Sequence, residues 1–171
     1  VNEDWIHDIR MRRLNPGMSR IACMTINKSA IRCRCRTWAG DFFLNVRDEG
    51  DKGPVVLLSA GVGMTPLMSI LETLEANGDR RKISWVHGTR NSKVQAFQEH
   101  IQEMARKNGH MRKDVFYSSP LETENKGEDY EFEGRLDLKK LKSREDLMLY
   151  DEHARYYICG PEGFMADWTR R

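Results

Sequence analysis

The stretch Pro54-Val-Val-Leu-Leu-Ser-Ala60-Gly61-Val62-Gly63-Met64-Thr65-Pro66 decides the fold. Its first seven residues form a short apolar run, as expected of a central parallel strand covered on both faces. Beyond the glycines, Leu67, Ile70, Leu71 and Leu74 recur at three-to-four spacing until Asn77-Gly78, which predicts a helix over Thr65–Ala76. A strand leading through glycines into a helix puts the turn at the strand's carboxyl end, where open parallel sheets bind ligands. Gly61 and Gly63 permit unusual dihedrals and let an anion approach bare backbone. Thr65 can cap the helix, and Pro66 has the fixed dihedral that a helix start wants. The exposed N–H groups and the helix dipole then face that anion. The glycines alone fit equally well a tight turn that binds nothing. Leu67 stands where a Gly-x-Gly-x-x-Gly pattern would have its third glycine.

Outward from this stretch, strands and helices alternate. Lys82–Gly88 reads as a second strand, and Lys93–Lys107 as a helix with Val94, Phe97, Ile101, Met104 and Ala105 on one face. Asp114–Ser118 is a third strand, and polar Leu121–Glu133 a surface loop. Asp137 caps a short helix through Leu141. Arg155–Cys159 is a fourth strand, with Pro161 suited to the first turn of a last helix. The alternation predicts an α/β fold, a doubly wound parallel sheet. A second glycine turn, Cys159-Gly160-Pro161-Glu162-Gly163, again follows a strand and opens a helix. A lone cysteine at such a place is, by itself, more simply a buried core residue.

The remaining composition is mainly exclusive. With 171 residues and a net charge of +2, the chain has room for one full domain and part of another, and its charge points to no partner. No run of 18 apolar residues spans a membrane. The start, Val1-Asn-Glu-Asp-Trp5, has neither signal-peptide layout nor an initiator Met, so it reads as a fragment edge of a cytoplasmic protein. Cys23, Cys33, Cys35 and Cys159 have no zinc spacing, and His7, His87, His100, His110 and His153 are scattered, so no metal site is expected. Free thiols in a reducing compartment are the simple reading. Residues 9–38 differ from the rest, with eight Arg or Lys, no Asp or Glu, and no useful apolar period. A solvated insertion is the bland reading. An RNA or membrane-surface tether lacks the interleaved aromatics or apolar face it would need, so neither nucleic acid nor membrane is expected as a partner.

Taken together, the two glycine turns resemble those of the ferredoxin–NADP reductase superfamily. Ala60–Pro66 is similar to its pyrophosphate loop and Cys159-Gly160-Pro161 to its nicotinamide-side motif. His87-Gly-Thr-Arg-Asn91, Gly134-Arg-Leu-Asp-Leu138 and Ala39-Gly-Asp-Phe-Phe-Leu44 resemble more narrowly the reductase half of flavohaemoglobins, the nitric oxide dioxygenases. The likeness covers roughly residues 39–168. It implies an NAD(P)H-dependent flavin oxidoreductase in which hydride passes from nicotinamide to FAD, with the protein supplying orientation. Haem would belong only to a globin domain of the parent protein.

Residue by residue, the resemblance assigns Gly61, Val62, Gly63, Met64, Thr65 and Pro66 to the phosphates, and His87, Gly88, Thr89, Arg90 and Ser118 to the adenosine side. Cys159, Gly160, Pro161 and Glu162 would line the nicotinamide, with Cys159 and Glu162 as the catalytic pair beside the ring. Phe164 and Met165 would pack the last helix. Glu122, after the third strand, would repel a 2′-phosphate, so NADH is favoured over NADPH.

The chain also departs from the family. The Arg-x-Tyr-Ser flavin motif is absent. Trp5-Ile-His-Asp8 and Ala39–Val46 look like two islands of a flavin barrel. The expected division is a disrupted barrel remnant over 1–52 and a nucleotide domain over 53–171, truncated at its end. Residues 9–38 then read as a retained intron or shifted frame. Weak or absent flavin binding by the isolated chain follows, and the alternative readings are a nucleotide-binding fragment without turnover or the reductase of another flavin-dependent electron-transfer chain.

Overall fold

The computed structural model describes residues 21–26, 42, 44, 53–141, 144–149 and 151–169. Six strands form one sheet: β1 (Ile21–Ile26), β2 (Val55–Ala60), β3 (Ile83–Thr89), β4 (Met111–Tyr117), β5 (Phe132–Glu133) and β6 (Arg155–Pro161). Their spatial order is β1-β6-β2-β3-β4-β5. β2 pairs in parallel with both β3 and β6, β3 with β4, and β4 with β5. Among the described strands only β1 is antiparallel, lying along β6 with Cys23 opposite Cys159.

The four longer parallel strands follow from their apolar content. Val55, Val56, Leu57 and Leu58 are all sealed from solvent, which requires cover on both faces. One face carries α1 (Met64–Ala76) and α2 (Gln98–Lys107). There Leu67, Leu71, Leu74, Ile101 and Met104 pack on Val55, Leu57, Trp85 and Tyr157. The other face packs Val56, Leu58, Val86 and Ile158 against Leu141, Leu147, Leu149 and Met165. These come from α3 (Leu138–Leu141), the segment 144–149, and α4 (Glu162–Thr169). Period-two side-chain alternation feeds both cores from one strand.

The segment 144–149 is tied down by polar contacts as well. Arg144 Nη1 donates to Asp114 Oδ1 at 2.9 Å, Ser84 Oγ to the Leu147 carbonyl, and Tyr156 Oη to the Leu149 carbonyl. Asp114 is buried on β4, and that burial raises its carboxyl to about 6 despite the neighbouring Arg144.

The doubly wound parallel sheet expected from the sequence is present, with local differences. The second helix begins at Gln98 rather than Lys93, because Ser92–Val94 form a 3-10 turn and Phe97 takes φ 56. The third strand starts earlier, at Met111, and two residues of the expected loop form β5. Pro161 closes β6 and precedes α4 instead of opening it. Asp137 does cap α3, its Oδ1 accepting the Lys139 N–H at 3.0 Å. Within the foreign-looking 9–38, Ile21–Ile26 add a strand to the nucleotide-domain sheet, although these residues show no strand period. Most of the expected barrel remnant lies outside the described residues. Of it, Leu44 is buried in the α1-side core, and Phe42 meets Tyr157 edge-on at 5.7 Å between ring centroids.

Candidate functional site

All long parallel strands end at the same edge of the sheet. From β2 the chain steps to β3, β4 and β5, and then returns to the other side of β2 as β6. The reversal between β2 and β6 is a topological switch point, where the connections leave to opposite faces and open a crevice. Both glycine turns border it.

After Ala60 the chain makes a 3-10 turn over Gly61–Gly63 and enters α1 directly. Gly61 sits at φ +53, a left-handed conformation that side chains rarely adopt, with open space where a Cβ would point. Gly63 is needed for a different reason. A Cβ there would overlap the Cys159 carbonyl and lie 2.7 Å from Gly160 Cα. The two turns are therefore in backbone contact. Gly160 is equally confined, since a Cβ would lie 2.6 Å from the Phe164 ring and 3.2 Å from Ala60. In register, Ser59 lies opposite Cys159 on one side and His87 on the other, so one row crosses the ends of β6, β2 and β3.

The helix starts at the two turns differ in charge. α1 has no acidic residue in its first turn and no side-chain cap, so its positive end is free to meet an anion. α4 begins with the acidic Glu162 in its first turn. An anion is therefore met more favourably at the start of α1 than at the start of α4.

The expected site residues fall into distinct places. Val62 is 63% exposed, an apolar side chain held out over the glycine turn. Thr65 is exposed, but its hydroxyl donates back to the Val62 carbonyl at 3.2 Å and does not cap the helix, whose N-cap is Gly63. Pro66 stands at the third helical position and has no N–H. Met64 turns into the core, and its N–H is held by the Gly61 and Val62 carbonyls, so it stiffens the turn without offering a donor. His87 is sealed, its Nδ1 2.8 Å from Ser59 Oγ, and burial alone lowers it to about 4. Its ring is neutral and beyond a ligand's reach, so its influence passes through the end of β3. Gly88, Thr89, Arg90 and Ser118 do lie together at the β3 and β4 tips, where the Ser118 N–H bonds the Thr89 carbonyl. Pro161 and Glu162 are exposed at the crevice, and Gly160 is buried beneath them.

Cys159 corrects one expectation. It is buried and disulfide-bonded, not a free thiol. Its carbonyl, not its sulfur, meets Gly63.

Two residues with roles at this edge carried no signal in the sequence. Ser59 looks like a chance polar residue in an apolar run until β3 places His87 beside it. Glu124 joins loops 32 residues apart, with Oε1 accepting the Ser92 N–H and Oε2 the Leu121 N–H, each at 2.7 Å. Glu122 is exposed. Among the described residues no group of three or more His, Cys, Asp or Glu could hold a metal ion, and no helix is long and apolar enough to cross a membrane.

A switch-point crevice with a phosphate-ready helix start defines a nucleotide-binding α/β domain. The model of the oxidoreductase NAD-binding domain family matches residues 57–170, and the chain belongs to that family. It is 46% identical over 131 residues to the flavohemoprotein of Bordetella pertussis, covering 77% of this chain and 31% of that protein. With the flavohemoprotein of Rhizobium meliloti it shares 40% identity over 126 residues, covering 74% and 29%. The chain thus spans about a third of the curated relatives it matches. In fold it is similar to the cytochrome b5 reductase domain of Ulva prolifera nitrate reductase (TM-score 0.58, 16% identity, covering 70% of this chain and 42% of that one). It is also similar to the Malassezia yamatoensis flavohemoglobin solved with bound FAD and heme (TM-score 0.53, 24% identity, covering 70% and 28%). The family resemblance drawn from the two glycine turns stands.

Proposed function

We propose that this chain is the NAD(P)H-binding module of a flavohaemoglobin-type reductase, which orients a reduced nicotinamide for hydride transfer to FAD. The observation that carries this is the contact between Gly63 and Cys159, which puts both bare turns at one switch point. A single extended coenzyme can then lie across the strand tips. Its pyrophosphate rests on Gly61–Gly63, Thr65 and the start of α1, with Val62 packed against it. Its nicotinamide lies toward Gly160, Pro161 and Glu162 on the β6 side. Its adenosine lies toward Gly88, Thr89, Arg90 and Ser118.

The residues fit such a ligand. Gly61 leaves the space above the turn open, and the uncapped helix start supplies positive potential where the diphosphate is negative. Bound coenzyme and flavin supply the hydride chemistry. The chain's part is to fix one face of the ring through the Gly160 backbone and to keep bulk away from it. Cys159 contributes its backbone there, and Glu162 the polar rim.

In the parent protein, electrons would pass from FAD to a globin haem for nitric oxide dioxygenation. Trp5–Asp8 and Ala39–Val46 would belong to a flavin barrel. A cytoplasmic location fits this role, and NADH is the favoured coenzyme. Separate titrations of the purified chain with NADH and FAD test the proposal. At about 100 times its Kd, NADH should raise Tm by roughly 5–10 °C. No shift and no change in nicotinamide fluorescence would refute it.

A further inference from the structure

We infer that Glu124 is the positioning residue through which this site prefers a coenzyme with a free 2′-hydroxyl to one with a 2′-phosphate. The inference rests on the coenzyme-binding reading above. If the pyrophosphate lies at the end of β2 and the nicotinamide toward β6, the adenosine half extends over the tips of β3 and β4. Two chain segments leave those tips side by side. They are laced by the Ser118 N–H to the Thr89 carbonyl at 2.9 Å, the Ser119 N–H to the Arg90 carbonyl at 3.0 Å, and Asn91 Nδ2 to the Ser119 carbonyl at 3.2 Å. Glu124 completes the lacing, one oxygen on the Ser92 N–H and the other on the Leu121 N–H.

A carboxylate bonded through both oxygens to backbone donors has its charge fixed in place. Arg90, Lys93 and Glu122 are all exposed. Arg90 and Lys93 alone would attract a phosphate. Glu124 lies close enough to Lys93 to interact with it electrostatically, so it offsets that attraction. Its unused lone pairs can accept a ribose hydroxyl, whereas a phosphate would meet an anchored negative charge. Glu122, the acidic residue conspicuous in the sequence, has no such anchor.

The test is the ratio of NADPH to NADH Kd, read by fluorescence on the full chain. Glu124→Gln removes the charge at constant size and should lower the ratio at least about fivefold, mainly by tightening NADPH. Glu122→Gln should change it by less than about twofold, and Glu124→Asp should keep the original preference even where both affinities weaken. A parallel weakening of both coenzymes in Glu124→Gln, or an equal ratio change in Glu122→Gln, would overturn the inference. If Glu124→Gln does not fold, Lys93→Gln serves instead. Removing the opposing cation should raise the ratio about twofold or more, and an unchanged ratio would be the negative result. Failure of the unchanged chain to bind either coenzyme would strike the coenzyme reading itself, a separate outcome.

Discussion

Gly61 and Gly63 stand two residues apart and resist substitution for different physical reasons. Gly61 has room for a side chain but a dihedral that disfavours one. Gly61→Ala should therefore lose about 1–2 kcal/mol, and Gly61→Asn less, since Asn tolerates the left-handed region. Gly63 has an ordinary φ of −63° but no room, because the β6 backbone occupies the space. Gly63→Ala must push β2 and β6 apart at their tips. We expect a loss of about 1–3 kcal/mol together with at least about tenfold weaker NADH binding, while Gly61→Asn should weaken NADH by filling the open space above the turn, at a smaller cost in stability. Urea midpoints and NADH titrations of the three variants check this. Unchanged NADH affinity in Gly63→Ala would mean that the contact between the turns does not shape the site. The glycines were legible in the sequence as a turn. Which of them is required by dihedral and which by crowding was not, because the crowding partner lies about a hundred residues away.

At the level of elements, the sequence reads α1 well and α2 less well. Leu67, Ile70, Leu71 and Leu74 give α1 one clear face, and the sheet buries that face. In α2, Val94 and Phe97 continue the helical period, yet they are 55% and 48% exposed and the helix starts after them. The chain leaving β3 is held to the β4 loop by Asn91 and by the Ser92 N–H, so it cannot wind into the helix until Gln98. Phe97 absorbs the change of direction at φ 56. Phe97→Asn should relieve that cost and raise stability by about 0.5–1 kcal/mol. A lower urea midpoint for this variant would show that the Phe97 ring contributes more than its backbone costs. β1 marks the opposite failure of sequence reading. Ile-Ala-Cys-Met-Thr-Ile has no distinctive period, and it becomes a strand because the outer edge of β6 offers unpaired backbone groups.

Across the whole molecule, two buried titratable groups act on stability in opposite directions. Folding lowers His87 from 6.5 to about 4, so the unfolded chain binds the extra proton between those values, and stability rises with pH there. Folding raises Asp114 from 3.8 to about 6, so the folded chain holds the extra proton, and stability falls as pH rises through that window. The two slopes oppose each other between about pH 4 and 6. Asp114→Asn should leave a stability that climbs from pH 4 to 6.5, and His87→Asn one that declines from pH 4 to 6. Urea unfolding of both variants across this range decides the matter, and slopes of the same sign in the two would contradict it.

What the amino-acid order determined by itself was local: apolar runs covered on both faces, helical periods, and glycines at strand-to-helix turns. These depend on neighbours a few residues apart, so they were visible without coordinates, and with the resemblance they pointed to the family. Only the tertiary structure decided which distant groups meet. It set Cys159 against Gly63, enclosed His87 with Ser59, joined two loops through Glu124, and brought Ile21–Ile26 to the edge of the sheet. Strand order and register create those contacts, and neither is written in any single stretch of the chain.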